Sequence, residues 1–258
     1  MARSAALLTS ARAHPAAPAL ILLLGMLLTL SGCSSTTADD GTATGTDDGN
    51  ATGTDSGTEA TSETEASSAV DQDQLSIAVV GDSITQASAP TFAPGQVSED
   101  SWVSYAVGDP IQLTGGWARW GATTAEMAAA ASPVDAEVLV IMAGTNDLAV
   151  GTETGQVAAD LQRIVEQVGA DQVLLCAVPP MDARPEVVPP FNDFLAETAA
   201  RNGWAWVDPA AGIREDGTFA PGMSVDGLHP TQAGATQIGA AVREALLTEF
   251  APAGQDEN

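Results

Sequence analysis

LSIAVVGDSITQAS, residues 75–88, sets an apolar run, Ile77-Ala78-Val79-Val80, against an abrupt Gly81-Asp82-Ser83. An apolar run without alternation is the pattern of a strand covered on both faces. Its polar ending delivers a carboxylate and a hydroxyl to one edge of a core. Residues 76–80 are the first of five such runs; the others are 111–113, 137–142, 172–177 and 205–207. Helical patterns separate them. Residues 156–168 put Val157, Leu161, Ile164, Val165 and Val168 on one face, and 231–250 put Ile238, Val242, Leu246 and Phe250 on one stripe. Residues 191–200 gather Phe191, Phe194 and Leu195, and an alanine-rich helix is expected over 123–131. Strands alternating with helices imply right-handed crossovers and a parallel sheet. The expected fold is therefore α/β, a three-layer α/β/α sandwich with a parallel sheet of about five strands. Ligands in such folds gather at the carboxyl ends of the strands.

Four polar, glycine-bearing segments converge on that rim. They are Gly81-Asp82-Ser83, GGWARWGATTAEM at 115–127, AGTND at 143–147 and VDGLHPTQAG at 225–234. The chain has two histidines, His14 and His229. His14 lies in an expected leader, which leaves one imidazole in the mature protein. It follows Asp226 by three residues and precedes Pro230, which biases it away from helix and is well placed as the first helical residue. Asp226 is near enough to accept the ring's Nδ1–H, fix the tautomer and stabilise the imidazolium. Ser83, at the end of a core strand, would supply the nucleophile. Taken singly, each of these motifs is commonly a turn, a cap or a surface histidine. Their joint occurrence at successive strand ends makes a catalytic constellation.

The domain resembles the SGNH hydrolases of the GDSL esterase and lipase family. Gly81-Asp82-Ser83 is similar to the first block, with isoleucine in place of the usual leucine. Gly121 falls at the glycine block, Gly144-Thr145-Asn146-Asp147 at the third, and Asp226-Gly227-Leu228-His229-Pro230 at the last. The resemblance implies a flavodoxin-like sandwich, no metal and no organic cofactor. It implies Ser83, Asp226 and His229 as the catalytic residues, with an oxyanion hole from the N–H groups of Ser83 and Gly121 and the Asn146 amide. Asp82 and Asp147 would then be structural, bonding loop amides. Trp102, Trp117 and Trp120 are open between pocket lining and packing over the core, whereas Trp204 and Trp206 read as core or sheet cover. PPMDARPEVVPP at 179–190 follows the fourth strand and should reach the rim.

The expected activity is a serine esterase acting on a short acyl or acetyl group carried by a carbohydrate, a lipid or a small molecule. The same residues would serve an acyltransferase. A non-catalytic glycan-binding lipoprotein and a metal-dependent phosphoesterase using Asp82, Asp147 and Asp226 are the rivals from other classes.

Outside the domain the composition changes. Residues 1–33 read as a signal peptide: Arg3 and Arg12 in a basic leader, then an apolar run over 19–30 too short to span a bilayer. Leu30-Ser31-Gly32-Cys33 resembles a lipobox, which implies cleavage before Cys33, lipid on Cys33 and anchorage at the outer face of the cell membrane; plain secretion is the alternative. Residues 34–74, rich in Ser, Thr, Gly and Asp, read as a disordered acidic tether, and 251–258 as a disordered tail. The domain spans 75–250. Lysine is absent and the net charge is −26, which repels nucleic acid and anionic head groups. The partners that fit are an acyl-ester substrate, such as an envelope or extracellular glycan, and a membrane reached through Cys33. Cys176, inside VLLCAV, reads as a buried small hydrophobe.

Overall fold

The computed structural model describes residues 74–250. The expected signal peptide, Cys33, nearly all of the expected tether and the tail lie outside the described residues. In chain order the elements are β1 (Leu75–Gly81), α1 (Ser83–Gln86), α2 (Val103–Ala106), β2 (Ile111–Ala118), α3 (Thr124–Ala130) and β3 (Val138–Met142). There follow α4 (Thr145–Val150), α5 (Thr154–Val168), β4 (Gln172–Cys176), α6 (Val188–Asn202), β5 (Ala205–Val207), β6 (Arg214–Glu215), β7 (Thr218–Phe219) and α7 (Gln232–Glu249). Strands β1 to β5 form one sheet in the order β2-β1-β3-β4-β5, every pair parallel.

The apolar runs lack alternation because the pleat feeds two cores. Ala78, Val80, Leu139, Ile141 and Leu175 pack on one face against Met127 of α3, Leu161 and Ile164 of α5 and Leu195 of α6. Ile77, Val79, Val140, Met142 and Leu174 pack on the other against Val103 of α2 and Ile238, Val242 and Leu246 of α7. Successive residues thus point to opposite faces, and both are apolar. Cys176 is buried in the second core, and burial, with the Asp208 charge behind it, pushes its thiol up. Trp204 and Trp206 pack partly buried against the first core, as expected.

Three differences from the sequence reading bear on the site. First, β2 runs on through Gly115-Gly116-Trp117-Ala118, where a loop was expected. The glycines do not end the strand. Gly116 lets it lie against β1, since a Cβ there would run into the Val79 carbonyl oxygen at a φ of +137°, while Gly115 leaves room for the Val134 side chain. Second, α6 begins before Pro189-Pro190 rather than after them. Proline is tolerated in a first turn, where the N–H has no intrahelical acceptor. Third, Pro230 precedes α7 instead of opening it; Thr231 is the N-cap and accepts from Gly234 N–H at 3.2 Å. Sheet order places β1 between β2 and β3, so the chain leaves β1 at the point where the order reverses. A crevice opens there at the carboxyl ends.

Candidate active site

Ser83 is held at the mouth of that crevice by the residue before it. Asp82 leaves β1 fully buried and caps α1 through Oδ1, which accepts from Ile84 N–H at 3.0 Å. Burial is the main influence on this carboxyl. It pushes it up to about 6, against the lowering effect of the Ile84 bond, the His229 charge and Thr145. Ser83 is the first residue of α1 and only 7% exposed.

The partner comes from the loop before α7. Asp226 Oδ1 accepts from Leu228 N–H at 3.0 Å and His229 N–H at 2.8 Å, folding four residues into a tight turn. Ser224 Oγ and Val225 N–H both donate to the His229 carbonyl, each at 2.9 Å. The imidazole emerges from this turn with Nε2 3.0 Å from Ser83 Oγ and Nδ1 2.8 Å from Asp226 Oδ2. Desolvation is the largest single influence on Asp226 and raises its carboxyl, but the His229 and Leu228 bonds and the His229 charge together outweigh it, bringing the carboxyl down to about 2. An ionised carboxylate has no proton to give, so Nδ1 is the donor. In the neutral ring Nε2 is then the acceptor, and Ser83 Oγ–H donates to it.

Asn146 sits at the start of α4, and its Nδ2 donates to the Ala122 carbonyl at 3.0 Å and to Asp82 Oδ2 at a long 3.4 Å. Gly121 has a φ of +72°, and a Cβ there would meet nothing within 4 Å, so the space beside it is open. Asp147 accepts from Thr124 N–H and Oγ1–H, both at 2.8 Å, tying α4 to α3. Asp82 and Asp147 thus bond backbone amides, but those of the first turns of α1 and α3, where loop amides were expected. Among the described residues no group of three His, Cys, Asp or Glu is placed to hold a metal.

The tryptophans separate. Trp102 is core, its Nε1–H donating to Thr85 Oγ1 at 3.1 Å. Trp117 packs partly buried against the first core, with the Arg119 guanidinium 5.4 Å from its ring centroid. Trp120 alone reaches the site, stacked on the His229 ring at 4.7 Å and 22° between planes. The segment 179–190 does reach the rim: Asp182 N–H donates to Gly227 O at 2.8 Å, bracing the histidine turn from below. Nothing in the sequence pattern marked Asp182 for this, nor Gln86, whose Oε1 accepts from Trp120 N–H at 2.8 Å.

Ser83, Asp226, His229 and Trp120 share the walls of a cavity of about 190 Å³ with Ile84, Ala87, Asp100 and Pro230. A larger cavity, about 340 Å³, lies at the amino ends of β1 and β2 among Gln74, Val107 and Pro110, and holds no nucleophile–base pair.

No curated protein matches the chain. Solved structures do match the fold. A member of the lipolytic protein G-D-S-L family from Veillonella parvula is 18% identical at a TM-score of 0.51, covering 68% of this chain and 98% of its own. The lipase/acylhydrolase from Enterococcus faecalis is 18% identical at 0.53, covering 67% and 95%. A family two carbohydrate esterase from Clostridium thermocellum, in complex with cellohexaose, is 14% identical at 0.51, covering 68% and 64%. At these identities the likeness is one of fold. The GDSL-like Lipase/Acylhydrolase profile, in contrast, matches the sequence itself over residues 79–237, more than half of the chain and from β1 into α7. By that match the chain belongs to the GDSL-like lipase/acylhydrolase family.

Proposed function

We propose that the domain is a serine esterase that cleaves a short acyl or acetyl group from a carbohydrate, lipid or small-molecule alcohol through an acyl-serine intermediate. The observation that carries this reading is the line of hydrogen bonds from Ser83 Oγ to His229 Nε2, 3.0 Å, and from His229 Nδ1 to Asp226 Oδ2, 2.8 Å. Ser83 Oγ attacks the carbonyl carbon while its proton passes to Nε2. The tetrahedral intermediate expels the alcohol, which takes that proton. Water then attacks the acyl carbon and gives its proton to Nε2, and collapse returns Ser83 Oγ–H and releases the acid.

Oxyanion donors would be Ser83 N–H, Gly121 N–H and the Asn146 amide. The long Asn146–Asp82 bond is the one an oxyanion would most readily displace. Asn146→Ala should lower kcat by about 100-fold with KM little changed, read by steady-state kinetics on an acetyl ester.

The cavity is smaller than an ordinary drug-sized site, which favours a small acyl group. The carbohydrate esterase among the fold relatives favours a sugar as the alcohol. The test is a panel of acetyl, butyryl and long-chain esters with acetylated glycans. Fastest turnover should come from the short acyl esters, and a fluorophosphonate should label Ser83. Preference for long chains would refute the size argument. We further propose that the chain is exported and held at the membrane through Cys33. Cys33→Ala should move the protein from the membrane fraction to the soluble fraction, and continued sedimentation with membranes would refute the anchor.

A further inference from the structure

Trp120 is the one large aromatic side chain among the described residues that stands well exposed, at 55%. Its exposure is not looseness. The backbone N–H donates to Gln86 Oε1 at 2.8 Å and the indole Nε1–H to Ala87 O at 2.6 Å. Gln86 is itself buried, its amide donating to Ala89 O at 2.9 Å. Ala87, which receives the indole, is a non-glycine residue at φ +51°. The segment that begins with Ser83 therefore bends back to grip Trp120. The ring so held lies almost parallel to the His229 imidazole, centroids 4.7 Å apart. Trp120 thus touches both halves of the pair, Ser83 through the backbone that follows it and His229 through its ring face.

We propose that Trp120 is a positioning residue for the reaction, which holds His229 against Ser83 and favours the imidazolium formed when the serine proton is taken. The inference rests on the serine-esterase reading and adds a group that the triad does not include. An indole face is negative at its centre and attracts a cation above it. Neutral imidazole gains little from that field, whereas the protonated ring in the transition state gains more. Binding the transition state more tightly than the ground state is what raises kcat. The other charges near His229 are Asp226 at Nδ1, buried Asp82 next to Ser83, and Asp100 in the wall of the same cavity; Asp182 bonds the turn through its backbone N–H, and its carboxylate accepts from Phe219 N–H. Arg119, next to Trp120, is paired with Glu126. These carboxylates are common to every variant below, so a change on altering Trp120 reports the ring.

Trp120→Leu removes the π face and the Nε1–H together; Trp120→Phe removes the Nε1–H but keeps a smaller, weaker π face. The chain has only one histidine besides His229, so the imidazole titration is directly readable by NMR. Measured in a Ser83→Ala background, Trp120→Leu should shift the His229 midpoint to lower pH, and Trp120→Phe, which keeps a π face, should shift it less. With Ser83 intact, Trp120→Leu should lower kcat by about three- to tenfold with KM little changed, and Trp120→Phe should restore most of the loss. The acid limb of kcat/KM should move to lower pH in the leucine variant, because a less favoured imidazolium gives up its proton sooner. An unmoved midpoint in Trp120→Leu, or a phenylalanine variant as impaired as the leucine one, overturns the proposal. If Ser83→Ala kept full turnover, the esterase mechanism would fall while the titration shift could still be observed, so the two failures are distinguishable.

Discussion

Ser83→Ala should lower kcat for a short acyl ester by about a millionfold, to a trace of the wild-type rate. The size of the effect follows from what the atom does. Oγ is the group that bonds to the acyl carbon, and no other hydroxyl is shown within hydrogen-bond distance of His229 Nε2 among the described residues. The substitution removes one atom at a site 7% exposed, and its one side-chain hydrogen bond is the one to His229. Asp82 still caps α1, and β1 still ends where it did, so the fold should survive and KM should change little. The residual rate should come from the oxyanion donors and from binding alone. A base without its nucleophile has no proton to take, so adding His229→Ala to Ser83→Ala should cost almost nothing further. Steady-state kinetics on wild type, both single variants and the double variant checks this, with circular dichroism to confirm folding. Turnover in Ser83→Ala within tenfold of wild type would remove the acyl-serine mechanism.

The parts of this site legible in the sequence are those held by local rules. A strand buried on both faces shows as an unbroken apolar run, and the polar residue that ends it lies at the carboxyl end of the sheet by construction. Asp226 and His229 are three residues apart, so their pairing is a matter of one turn. The helix stripes of α5 and α7 were legible for the same reason. Other features depend on long-range packing. Trp120 and His229 are distant in the chain, and their stacking requires the sheet order that sets β2 beside β1. Equally, Gly115-Gly116 looks like a loop in sequence because glycine weakens a strand. Only the closeness of the Val79 carbonyl in the folded sheet explains a strand that continues through it. Asp182 braces the histidine turn through its backbone N–H, a group every residue but proline carries, so no side-chain pattern could have marked it.

The second large effect should come from Asp226→Asn, which should lower the plateau kcat by about 10³- to 10⁴-fold while leaving the turn folded. Oδ1 accepts the Leu228 and His229 N–H groups, and an asparagine oxygen can accept both in the same place. That orientation turns the new amide –NH₂ toward His229 Nδ1, where the carboxylate oxygen had been. Two donors cannot share that contact, so the ring adopts the other tautomer, with Nδ1 bare and the proton on Nε2. Nε2 can then no longer accept from Ser83, and the base is lost although every heavy atom stays near its place. Loss of the carboxylate also makes the imidazolium less favourable, so the acid limb of the residual activity should move to lower pH. Stability should follow the opposite logic. Hydrogen bonds hold the Asp226 carboxyl down at about 2, so what it adds to folding is full above the ordinary carboxylate range and is lost as pH falls through about 2. The stability gap between wild type and Asp226→Asn should therefore be widest near neutral pH and close on acidification. Denaturant titrations at several pH values, together with pH–rate profiles, read both effects. A variant with near wild-type kcat would mean that Asp226 shapes the turn and does not set the tautomer of His229.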